Sequence, residues 1–512
     1  MDHSPLRAVR PRLEHLRHRL VRPFSVDTRS LAAFRVALGA IVLADLAWRV
    51  GDLGLYYTAE GVYPIAVHEA AYGAFGRYSL FALSDALWVQ GLLFAATGVF
   101  ALGFCLGYRT RLTGLASLVL VLSLQVRNPT VLNGGDRLLW LLLCIGLLTP
   151  LGERWSLDAR RRTAPARGTV ATLGTAALLV QPLAVFTSNA VRKARGEYWL
   201  SGDGLALALH NDAMTRSFAD ALLAAPPLVV ALNYLWLAAL FGSVPLLLGT
   251  SGRLRAAAVS AYVAAFAGMF ATMTVGLFPF ALAASVLGFV PGVAWEALER
   301  RAPPRLARLA DPIRGSASSA SAALPATPAS VGTIGERPRS VPPFDPAGIR
   351  RTLFRTVSAV VLVWMVAFSA LSAAGAAPPP PLDADALDQQ DWGLYAPDPQ
   401  PVSTWYVIEA ELADGARIDA LDGGPVGFDR PPDGAGPDGA RHRSFMQTVS
   451  ASGAGAVDPA VAERYGQWVC ERAGVHAADV ERVAVRRIDQ PTTGDGPDGR
   501  PTESVVAESE CR

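Results

Sequence analysis

Long apolar runs decide what this chain can become. Ser30–Trp48, Ala86–Gly107, Thr169–Asn189, Pro227–Leu248 and Val357–Ala374 are each close to the length of about 20 residues that crosses a bilayer as a helix. Leu112–Val126 and Leu138–Leu151 are shorter and cross where the bilayer thins or polar ends dip inward. Ala256–Val293 is long enough for two spans hinged near Gly276–Pro279. A backbone in lipid has no water to bond to, so it must satisfy its own polar groups as helix. The expected fold is an all-α polytopic membrane bundle of about nine transmembrane helices, eight if residues 256–293 cross once, with a small C-terminal α+β domain outside the membrane.

Charge between the runs gives the orientation. Arg7, Arg10, Arg12, Arg17, Arg19 and Arg22 precede the first run, Arg109 and Arg111 follow the second, five Arg fill Gly152–Gly168, and ten lie between residues 294 and 355. Counting nine spans from a cytoplasmic start puts all of these on one side, as the positive-inside bias requires. Residues 376–512 carry 24 acidic against 11 basic side chains and fall on the other side. The expectation is a multi-pass cell-membrane protein with a cytoplasmic N-terminus and an extracytoplasmic C-terminal domain; the first span follows a basic start without a small-residue cleavage site and serves as its own targeting signal. The chain divides into a basic cytoplasmic N-terminus (1–28), a transmembrane domain (29–298), a disordered Arg/Ser/Ala/Pro-rich cytoplasmic linker (299–352), a final transmembrane helix (353–375) and an acidic soluble domain (382–512), with Pro378–Pro381 as a stiff spacer. In that last domain Trp405–Leu412, Ala416–Leu421 and Val480–Ile488 read as strands and Ala460–Ala473 as an amphipathic helix. Cys470 and Cys511 lie there and can pair if the domain is exported, while Cys105 and Cys144 sit in apolar runs as packing residues. The cysteines and carboxylates have no metal-ligand spacing, and the Arg clusters carry no nucleic-acid-binding module.

Of 46 basic residues, 45 are Arg and one, Lys193, is Lys. Arg stays protonated in proteins, whereas an amine moved out of water or set among like charges can act as a base. Arg192 and Arg195 are its neighbours, and Trp199 comes within two turns. The alternative is an ordinary snorkelling cation with Trp199 and Tyr198 as interfacial anchors. His210 in the same loop is a second acid/base candidate, or simply solvated. Arg127 and Asp136 bracket a loop containing Asn133-Gly-Gly; they either line a pocket on the same side as Lys193 or form a plain surface ion pair. Arg35 and Asp45 lie inside the first run and should face the protein interior.

The ordered series Asp27-Thr-Arg29, Phe34-Arg35, Gly39, Tyr57-Thr, Gly61-Val-Tyr-Pro64, Gly107-Tyr-Arg-Thr-Arg111, Arg127-Asn-Pro, Asn133-Gly-Gly-Asp136 and Trp155-Ser-Leu-Asp158 resembles the horizontally transferred transmembrane (HTTM) domain over residues 24–300. That domain is related to the membrane core of vitamin K-dependent γ-carboxylase. Trp392, Ala396-Pro-Asp398 and Trp405 are similar to the segment C-terminal to the domain in bacterial-type members. By this resemblance Lys193 is similar to the lysine that deprotonates vitamin K hydroquinone, with a reduced quinone or another lipid-like small molecule as the implied cofactor or partner beside the lipid bilayer. The chain departs from the carboxylase at Gly134 and at Phe266-Ala267, where the relative has histidines. This leaves two readings. One is a quinol-linked membrane enzyme with Lys193 as catalytic base and Arg192, Arg195, Trp199, Arg127, Asn133, Asp136 and His210 around its substrate. The other is a non-catalytic membrane scaffold or transport component that binds partners through the acidic domain.

Overall fold

The computed structural model describes residues 22–73, 78–162, 165–211, 214–216, 218–301, 346–374, 395–431, 439–477 and 479–511. Most of the basic N-terminus (residues 1–21), most of the Arg/Ser/Pro linker, the Pro378–Pro381 spacer, Trp392 and residues 432–438 fall outside them. The chain is largely helical. Its principal helices are α1 (Thr28–Val50), α2 (Leu87–Leu106), α3 (Thr110–Arg127), α4 (Gly134–Leu147), α5 (Leu173–Lys193), α6 (Pro226–Phe241), α7 (Gly252–Thr272), α8 (Phe278–Val286), α9 (Gly292–Arg301) and α10 (Pro346–Ala374). Among the described residues, α1, α2, α5 and α7 are each long and apolar enough to cross a membrane, and the bent pair Phe278–Phe289 with Gly292–Arg301 makes a fifth if counted as one span. The hinge read near Gly276–Pro279 is present: α7 stops at Thr272 and α8 starts at Phe278.

Local chemistry sets the helix starts. Asp27 caps α1 by accepting the Arg29 N–H at 2.8 Å, Thr172 and Thr175 form a reciprocal cap on α5, and Asn133 with Asp136 does the same for α4. Each satisfies backbone donors that the first turn leaves orphaned. Helix α1 packs on α2, α2 on α3, α4 on α8, and α10 along α5. Arg35 of α1 is fully buried and is accepted by four backbone carbonyls, those of Cys105, Leu151, Arg154 and Trp155. Asp45, also of α1, is buried too, so both ionisable groups of the first run face protein.

The C-terminal region is an antiparallel sheet with two helices on it. Strands β1 (Val402–Leu412), β2 (Arg417–Asp419), β3 (Val480–Thr493) and β4 (Thr502–Glu510) run in the order β2–β1–β3–β4, with Trp405 opposite Ile488 and Arg482 opposite Glu510. Helices α11 (Gly439–Gly453) and α12 (Ala460–Ala473) pack on β3 and β4 through Phe445, Met446, Val449, Val461, Tyr465 and Val469. The Cys470–Cys511 disulfide, spanning 41 residues, pins the end of the chain to α12. In the chain-entropy account such a loop contributes about 4 kcal/mol.

Helices α11 and α12 also hold this region against the bundle. Arg464 of α12 donates to the carbonyls of Gly61 and Glu60 at 3.0 and 3.1 Å. Tyr56 meets Phe445 edge-on. The end of the bundle that carries Lys193 and Asp136 is thus covered by the C-terminal region.

Candidate functional site

Helix α5 delivers Lys193 to its last position, and the amine is 1% exposed. The chain then turns at Gly196 and enters a short helix, Tyr198–Ser201, that swings Trp199 back over the amine. Lys193 Nζ stands 3.1 Å from the centre of the Trp199 ring, a cation–π contact worth about 2 kcal/mol when desolvated. Both side chains donate to one atom: the Tyr395 carbonyl accepts from Lys193 Nζ at 3.0 Å and from Trp199 Nε1 at 2.7 Å.

The strap that brings this carbonyl is Tyr395-Ala-Pro-Asp398. Tyr395 has φ of +50°, a region that L side chains seldom occupy. Its phenol donates to Met214 Sδ at 3.3 Å; burial pushes that phenol up to about 12, against the pull of Arg443, so it stays a donor. Asp398 fastens the far end by accepting the backbone N–H groups of Glu197 and Tyr198 at 2.8 and 2.9 Å. A side chain on Gly196 would stand 2.4 Å from Asp398 Oδ1 and from the Pro397 carbonyl, so the fit requires glycine there.

Asn133 and Asp136 are together, in a different arrangement from a surface pair. Asp136 is 1% exposed and pairs with Arg49 of α1 at 2.5 Å. Arg49 also donates to Asp45 at 2.8 Å and to the Tyr57 hydroxyl at 2.7 Å, and Arg441 of α11 reaches Asp45 at 2.8 Å. The sequence pairing of Asp136 with Arg127 is therefore replaced by a buried network that includes a residue of the C-terminal region. Arg127 lies apart from it, fully buried, donating from Nη2 to the Tyr63 carbonyl at 3.0 Å.

The break between α7 and α8 links the two groups. Thr274 accepts Arg443 through its carbonyl at 2.9 Å and donates its N–H to Met214, the residue that also receives the Tyr395 phenol. Two residues on, Gly276 (φ +60°) lies so close to Asn133 that a Cβ would sit 2.7 Å from Asn133 Nδ2. Lys193 and Asp136 thus belong to one covered end of the bundle, bridged by residues 273–277 and roofed by the strap and α11.

The other sequence candidates are peripheral to the amine. Arg192 is half-buried and Arg195 exposed. His210 Nδ1 bonds the Ala206 carbonyl at 3.0 Å, and the His210 carbonyl accepts Arg430, so this histidine serves the contact with the C-terminal region. Phe266, where the carboxylase has a histidine, is buried against Phe186 and Trp236. Tyr395, Asp398, Arg441 and Arg443 were not foreseen. Only the Ala396-Pro-Asp398 pattern carried a sign of them, and a pattern does not say where a strap docks. Among the described residues no His/Cys/Asp/Glu group has the arrangement of a metal site.

On a face of α5 roughly 120–140° round from Lys193, Gln181 Nε2 and Ser188 Oγ are buried with no partner among the described residues. They are seven residues apart, which places them on one helix face. Phe186, on the same helix, stacks on Tyr262 at 5.0 Å.

Against known families, the HTTM domain matches residues 24–295, more than half of the chain. No curated protein and no solved structure matches.

Proposed function

We propose, on the premise that this chain belongs to the HTTM family, that it is an integral membrane enzyme in which Lys193 is the general base for an amphiphilic, quinol-type substrate. The observation that carries this reading is the burial of the chain's one amine with a single carbonyl acceptor. An ammonium has three N–H donors, and here one carbonyl and one indole face replace its hydration. Both contacts stabilise the charged form, but together they return only part of the hydration that three N–H donors lose on burial, and it is the charged form that burial penalises. The step required of it is small: the substrate O–H bond breaks, an N–H bond forms on Nζ, and the electron pair stays on the substrate oxygen.

A reduced quinone suits the residues below the amine. Phe186, seven residues before Lys193 and so on the same side of α5, stacks on Tyr262 at 5.0 Å and offers ring surface. When bound, the reduced quinone would supply the acidic hydroxyl and the redox chemistry. This chain's part is to exclude water with the strap and to hold the proton at Nζ. In this proposal the Lys193 end of the bundle faces the outside of the cell, a placement that the positive-inside bias of the Arg-rich loops supports.

The test is co-purification. The full chain is purified with native lipids, and quinones are identified by mass spectrometry in wild type, Lys193→Ala and Phe186→Ala. Quinone enriched over bulk lipid in wild type and depleted in both variants supports the proposal; no enrichment in wild type contradicts it. The strap also favours a second reading, a non-catalytic scaffold in which Tyr395 permanently occupies the amine. That reading expects Lys193→Arg to be without consequence for function, whereas a base is lost on that substitution.

A further inference from the structure

Three arginines among the described residues of the bundle are fully buried, and in two of them every guanidinium nitrogen has a partner. Arg35 is accepted by four carbonyls, and Arg49 by two carboxylates and a phenol. Arg127 differs. Its Nη2 meets the Tyr63 carbonyl and its guanidinium lies 5.8 Å from the Tyr63 ring centre, but Nε and Nη1 are buried with no hydrogen-bond partner among the described residues. No ion pair to a described carboxylate accompanies it. Asp85 is near enough for its charge to act on the guanidinium, yet its carboxylate is turned to the Ile65 N–H at 3.4 Å. Guanidinium cannot escape by losing its proton, so an unpaired one in the interior demands an anion or other acceptors.

We propose that Arg127 is a binding site for a carboxylate group. One guanidinium offers one charge, which matches a monoanion and not a doubly charged phosphate; a carboxylate has lone pairs enough to accept the remaining donors. Tyr63, which contacts the guanidinium, is itself buried and held through its hydroxyl by His68 Nδ1 at 3.2 Å. The site stands whether or not Lys193 is a base.

The probe is acetate. The purified full chain is melted in detergent at constant ionic strength while chloride is replaced stepwise by acetate, for wild type, Lys193→Ala, Arg127→Met and Arg127→Lys. The expected result is a saturable rise in melting temperature in wild type and Lys193→Ala, absent in Arg127→Met and requiring at least tenfold more acetate in Arg127→Lys. If either Arg127 variant does not fold, the other carries the comparison. Wild type without a saturable rise overturns the proposal, since water alone then satisfies Arg127. The same acetate response in a folded Arg127 variant also overturns it, by placing the anion elsewhere. Loss of the response in Lys193→Ala alone overturns the site at Arg127 and moves the carboxylate to the amine.

Discussion

Lys193 donates to the carbonyl of Tyr395, 202 residues further along the chain, at 3.0 Å. That bond ties the last turn of a membrane helix to the start of the C-terminal region, and it seals the amine. Because the chain has one lysine, an amine-reactive acyl reagent reports on this contact with only the α-amino group as background.

Wild type is expected to react slowly at Lys193. Asp398→Ala removes the acceptors of two backbone N–H groups, a capping interaction worth about 1 kcal/mol, and should raise the acylation rate roughly five- to tenfold, the range that about 1 to 1.4 kcal/mol corresponds to. Peptide mapping of the modified protein checks this. An unchanged rate would mean that the strap does not limit access.

The buried charges make the second prediction. Asp136→Ala leaves Arg49 with Asp45 and Tyr57 alone and removes half of the α4 cap. Breaking a buried pair from one side costs about 3–5 kcal/mol, so thermal unfolding in detergent should occur well below wild type. Arg441→Met, by contrast, releases only the partner that the C-terminal region contributes. It should speed limited proteolysis of that region while the bundle stays intact.

Much of this was legible in the sequence, and the reasons are particular. Helix α5, the break after Thr272, the inward-facing Arg35 and Asp45 and the Ala460–Ala473 helix come from apolar length, from the cost of charge in lipid and from spacing, whereas Cys470 and Cys511 were legible only as a pair that could form if the domain is exported. Lys193 and Trp199 stand together because six residues and one turn separate them. The partners of Asp136 were hidden, because Arg49 lies 87 positions away and nothing local distinguishes it from Arg127. Helix α11 was hidden as well: its buried Phe445, Met446 and Val449 are set among Gly, Ser and Arg, a composition that reads as loop. Orientation rests on charge bias, which no contact within the fold encodes, and against an expected span number of about nine, four helices among the described residues, or five with the bent pair, are long and apolar enough to cross.

A pH response should arise at Glu153. Burial alone would raise its carboxyl, but hydrogen bonds from Arg167 and Arg162 prevail and hold it below the usual carboxylate range. A group depressed in the folded state stabilises above its unfolded pKa, and that stabilisation is lost as pH falls through the folded value. Melting temperature should therefore decline on acidification below about pH 4.5, and Glu153→Gln should be less stable near neutrality with a shallower acid limb. Identical acid limbs in the two proteins would rule out this contribution.

The most direct test of the central claim is whether Lys193 takes a proton from a quinol. Naphthoquinol is added anaerobically to the purified full chain and its anion is followed by difference absorbance, in wild type, Lys193→Arg and Lys193→Met. The account predicts a quinolate band in wild type that saturates at one equivalent and is absent from both variants. A band of equal size in Lys193→Met, or none in wild type, would contradict it.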